Sequence, residues 1–141
     1  MYKKILVAID GSELSLFALQ EAIKLASGFG THVSLTVFYV SQFMPTYDGT
    51  MFIDMDQVRR DTTEVVIGKA KPLLDATKIQ CEILTVDGDP AQEICKKAKE
   101  GKYELIVLGN RGHGMFTELL TGSVSLKVVQ HAHCPVLIVR K

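Results

Sequence analysis

The chain has 141 residues, 47% of them hydrophobic, and its 16 Lys and Arg balance 16 Asp and Glu to a formal net charge of +0. That apolar content excludes a disordered chain, and neutrality excludes both the basic field of a non-specific nucleic-acid binder and a polybasic membrane anchor. A length of this order suits one domain, 1–141, with one hydrophobic core, and a net charge near zero removes the self-repulsion that opposes self-association.

Lys4 and the apolar run Ile5–Ile9 predict a strand buried on both faces, ended by Asp10. The run is too short for a secretory core or a membrane span, so the expected location is cytoplasmic. Ser12 to Ser27 reads as a helix: Leu16, Leu19, Ala22, Ile23 and Ala26 recur at spacings of three and four, Ser12 suits the N-cap, and Gly28 and Gly30 are expected to end it. Val33–Val40 is a second strand. An irregular stretch, Ser41–Ile53, contains Pro45 and Gly49.

A long helix follows from about Asp54 to Ala76, with Val58, Val65, Val66, Ala70, Leu73 and Leu74 expected on one face and Pro72 expected to kink or shorten it. Ile79–Val86 is a third strand whose Gln80 and Glu82 suggest a water-facing edge. Asp89-Pro90-Ala91-Gln92 is a helix start, with Asp89 as cap and Pro90 in the first turn, and Gly101 ends that helix. Leu105–Leu108 is a fourth buried strand, and a glycine-rich loop spans Gly109–Gly122. Ser123 opens a last helix to about His131, and Val136–Val139 is a fifth strand. Strands separated by helices imply parallel pairing and right-handed crossovers, hence a doubly wound α/β domain with four helices.

The glycine-rich loop carries the chemistry. Gly109, Gly112 and Gly114 follow a buried strand, where a backbone turns tightly and can approach a ligand. Gly122-Ser123 opens a helix, whose N-terminal N–H groups favour phosphate. Arg111 adds a cation, and Ser123 and Ser125 add hydroxyls. The same residues are also what tight turns and a helix cap require, so the phosphate reading and the structural one stand side by side. The loop lacks the Gly-Lys-Ser/Thr of a P-loop, and its glycines do not lie in the first strand–helix turn, as a dinucleotide fingerprint demands.

Cys81, Cys95 and Cys134 are too few and too scattered for a disulfide framework and read as buried thiols. His32, His113, His131 and His133 fit no zinc spacing; His131 suits a helix C-terminus, and His113 can approach a phosphate. Glu118 is the only carboxylate inside the glycine loop, and no nucleophile–base arrangement stands out. Binding, with slow turnover at most, is better supported than rapid catalysis.

The spacing Gly109-x2-Gly112-x9-Gly122-Ser123 resembles the nucleotide-binding signature of the universal stress protein family. Lys4–Ser12, Gly88-Asp89-Pro90, Gly122–Ser125 and His131–Leu137 are similar to further family segments. Asn110 and Thr121 depart from the usual residues, and 41–60 matches nothing firmly. The resemblance implies a five-stranded parallel sheet of order 3-2-1-4-5, with the ligand at the switch point between strands 1 and 4. On this expectation Ala8, Ile9 and Asp10 line the adenosine side. Asp10 either accepts from the ligand or caps the first helix, and Phe38 is an adenine contact or a core aromatic.

Leu108, Gly109, Arg111 and Gly112 would meet ribose and inner phosphates, and Gly122, Ser123, Val124 and Ser125 the outer ones. The implied ligand is ATP, its phosphates bridged by Mg2+ or Mn2+ with no metal-binding side chains. The implied activity is that of a nucleotide-responsive regulator. The alternatives are an ATP-using phosphotransferase or hydrolase, and a binder of another adenine ligand such as cyclic AMP. The resemblance also implies a homodimer paired through Val136–Val139, whose apolar sheet edge needs a cover.

Overall fold

The computed structural model describes residues 2–30, 32–42, 55–110 and 124–141. The elements alternate as β1 (Lys4–Ile9), α1 (Glu13–Phe29), β2 (Ser34–Ser41), α2 (Met55–Asp75), β3 (Gln80–Asp87), α3 (Pro90–Glu100), β4 (Leu105–Gly109), α4 (Val124–His131) and β5 (Val136–Val139). All five strands are parallel and lie in the order β3-β2-β1-β4-β5, as expected.

Side chains alternate across a strand, and here each face is covered by one pair of helices. Ile5, Val7, Ile9, Leu35, Val37 and Tyr39 pack with Leu19, Ala22, Val66 and Ala70 of α1 and α2. Leu6, Phe38, Val40, Ile106 and Leu108 pack with Ala91, Ile94, Ala98 and Val128 of α3 and α4. Two buried faces explain why β1 and β4 read as unbroken apolar runs. β3, at one edge, shows the alternating exposure that its polar residues predicted.

The caps follow the sequence closely. The Ser15 N–H donates to Ser12 Oγ at 3.1 Å, and the Gln92 N–H donates to Asp89 Oδ2 at 3.0 Å. Three details refine the expectation. α1 runs through Gly28, and its C-cap is Gly30, whose φ of 109° is one that L side chains rarely adopt. Pro72 lies inside α2, which continues to Asp75; its missing N–H forfeits one bond to the preceding turn, and only three helical residues follow it. The packed face of α2 is Val66, Ala70, Leu73 and Leu74, whereas Val65 is exposed and Val58 turns toward the cavity described below.

Cys81, Cys95 and Cys134 are half-buried and form no disulfide. Burial pushes all three thiols up, which keeps them protonated and poorly nucleophilic. Among the described residues no helix is long and apolar enough to cross a membrane.

Candidate nucleotide site

The strand order reverses direction between β1 and β4. Helices leave these two strands toward opposite faces, so the carboxyl ends part and leave a crevice. A cavity of about 470 Å³ occupies that position. Its floor is formed by the ends of β1, β2 and β4, and α2, α3 and α4 contribute walls.

The β1–α1 turn forms one side. The Asp10 N–H donates to Ser15 Oγ at 3.2 Å, and the Ser12 N–H donates to Asp10 Oδ1 at 2.9 Å. Ser15 Oγ in turn donates to Ser12 O at 2.9 Å. Asp10 thus braces the turn, accepting from the N–H of the cap residue Ser12 and not from the helix itself, and it also lines the cavity. The turn closes through Gly11, whose φ of 86° strains any L side chain and whose Cβ would meet Val66 Cγ2 at 2.9 Å. Lys69 Nζ of α2 donates to Gly11 O at 3.2 Å.

β4 forms the opposite side. A Cβ on Gly109 would lie 3.0 Å from Leu14 O and 3.1 Å from Leu14 Cγ. The absence of a side chain is thus used first for close packing of β4 against the start of α1. Beyond it, Val124 and Ser125 stand in the first turn of α4 and line the cavity. A ligand there meets the positive end of the helix dipole.

Of the residues expected at the site, Ala8, Ile9, Asp10, Phe38, Leu108, Gly109, Val124 and Ser125 all line this one cavity. Phe38 is 1% exposed and belongs to the core facing α3 and α4, as the core alternative expected, and it also lines the cavity. Ile9 likewise sits in the core under α1 and α2. Arg111, Gly112, His113, Gly122 and Ser123, with Glu118 and most of Ser41–Ile53, lie outside the described residues.

Sequence reasoning missed the wall formed by α2 and the end of β2. Tyr39, Ser41, Arg59 and Thr62 also line the cavity. Arg59 Nη1 donates to Asp87 Oδ2 at 3.2 Å, and Nη2 pairs with Asp56 one helical turn away. Burial pushes the Tyr39 phenol above the usual tyrosine range. The Asp10 and Asp87 carboxylates push the same way, and a hydrogen bond with Ser41 pulls it back. A signal existed for Tyr39, next to Phe38 at the end of a strand beside β1. For Arg59 there was none, because an Arg on a polar helix reads as a solvated charge.

The described lining offers hydroxyl and carboxylate oxygens but no thiol or imidazole. That donor set suits a hard cation better than a soft transition metal.

Comparison with known proteins agrees with this architecture. The model of the universal stress protein family matches residues 1–140. Universal stress protein YxiE of Bacillus subtilis is 35% identical over 150 aligned positions, covering 99% of this chain and all of that one. A universal stress protein solved in complex with cAMP superposes with a TM-score of 0.70 at 25% identity, covering 99% of this chain and 97% of the other. A universal stress protein family protein from Arabidopsis thaliana, with AMP bound, shares the fold with a TM-score of 0.75 at 21% identity over 99% and 92% of the two chains. Sheet order, cavity position and a match over nearly the whole length lead to one conclusion: the chain belongs to the universal stress protein family.

Proposed function

We propose that this protein binds ATP in the cavity between β1 and β4 and acts as a nucleotide-responsive regulator. The supporting observation is the lining of the cavity. It combines the first turn of α4, with Ser125, and an apolar group, Phe38, Val40 and Ile94, from the core under α3 and α4. A polyphosphate would sit at the helix terminus and the nucleoside against the apolar group. Gly122 and Ser123 directly precede α4 in the sequence and would extend the phosphate end by backbone N–H groups. Mg2+ or Mn2+ would enter on the phosphates, neutralising their charge; the chain's own residues orient the nucleotide and exclude water from its base.

A second reading has a specific observation behind it, the solved relative in complex with cAMP. Competition among ATP, AMP and cAMP for the purified protein separates the two. The ATP reading expects ATP to bind tightest, because only ATP fills an outer-phosphate position, whereas tighter binding of cAMP than of ATP overturns it.

The proposal includes a homodimer. β5 ends the sheet, and its Leu137 is 39% exposed. Antiparallel pairing with a second β5 would cover that edge. Light scattering at micromolar concentration is expected to give twice the chain mass, and a monomer mass contradicts it.

A further inference from the structure

The two ends of the cavity are separated by the sheet itself. Neighbouring strands lie about 4.8 Å apart, so Gly109 on β4 and Asp87 on β3, three strands away, are separated by roughly 14 Å. Arg59 is tied to the β3 end: its guanidinium joins Asp87, the last residue of that strand, and Asp56 in its own helix. It also lines the cavity, with its side chain 24% exposed. These two carboxylates draw its N–H edges into their own directions. A guanidinium held by its edges presents its flat faces, which stack on aromatic rings.

We infer that Arg59 is a nucleoside-contacting residue whose guanidinium face lies against the base of the bound nucleotide, across from the apolar layer of Phe38 and Val40. This rests on the nucleotide reading above and adds a residue to it. The position argues against a phosphate role. Arg59 stands at the far end from α4, and its charge is shared between two carboxylates. Asp87 then has a positioning role, as the anchor that fixes the guanidinium plane.

The test is calorimetric titration of adenosine and ATP into the wild-type protein, Arg59→Ala and Arg59→Lys, with melting temperatures recorded for each. Arg59→Ala is expected to weaken adenosine about tenfold, and ATP at least as much, because the substitution also removes a positive charge from beside Asp56 and Asp87. The additional loss for ATP should shrink as salt is raised, whereas the adenosine loss should not. Arg59→Lys keeps a cation for Asp87 but has no flat face. It should melt like the wild type and still bind weakly.

Weakening of ATP with adenosine unchanged assigns Arg59 to the phosphates and overturns the inference. Full affinity in Arg59→Lys, or in Arg59→Ala, overturns it as well. A wild-type protein that binds neither ligand overturns the nucleotide reading, and this inference with it. Wild-type binding combined with an indifferent Arg59 overturns this inference alone.

Discussion

The cavity has two ends built on different principles. At the β4–α4 end the contacts are backbone and small side chains: Gly109 packed on Leu14, then the first turn of α4 with Ser125. At the α2–β3 end they are long side chains, Arg59 paired with Asp87 across 28 positions and Tyr39 hydrogen-bonded with Ser41. Backbone sites are rigid and recognise a common group such as phosphate. Side-chain sites are where ligand preference can be varied without disturbing the strand–turn–helix frame.

The comparison can be broken first at the backbone end. Gly122→Val is expected to cost the largest effect, a loss of more than about 100-fold in ATP affinity, because a side chain there blocks backbone approach to phosphate. Circular dichroism should show the fold retained, and unchanged calorimetric affinity would remove Gly122 from the site. Gly109→Val acts instead on the frame. A Cβ at 3.0 Å from Leu14 O must displace α1, so the chain should lose about 1–3 kcal/mol in urea denaturation. Wild-type stability in that variant would show that α1 is held less tightly than its contacts imply.

Smaller changes sharpen the side shared by both ends. Ser12→Ala removes the cap of α1 and its hydrogen bond from the Ser15 N–H, at a cost of about 1 kcal/mol by the same denaturation. Tyr39 supplies the smallest effect, visible only at high pH. Its phenol is raised above the ordinary value of 10.0, first by burial, so the unfolded chain deprotonates before the folded one. The stabilisation is complete below pH 10 and is lost as pH rises through the folded value. Tyr39→Phe should therefore flatten the decline in stability above pH 10, and an unaltered slope would place the titration elsewhere, for instance at Tyr103, which burial also raises.

The sequence showed the two ends unequally, for a physical reason. Glycines, caps and apolar runs are local instructions. The Gly109 position, the Asp10-Gly11-Ser12 turn and the unbroken runs of β1 and β4 each fix backbone geometry within a few residues, and the doubly wound order follows from alternation. The α2 wall depends on where a helix docks. Nothing within a few residues of Arg59 says that it will reach Asp87, 28 positions later, or that Val58 turns to the cavity while Val65 faces water. Pro72 is a local signal too, and α2 ends three residues beyond it.

The central claim, one adenine nucleotide per chain with its phosphates at the β4–α4 end, is tested most directly by native mass spectrometry of the protein with Mg2+ and ATP. The expected result is one ATP retained per chain in the wild type and none in Gly122→Val. Wild-type protein that retains no nucleotide, or a Gly122→Val protein that retains it equally, would contradict the account.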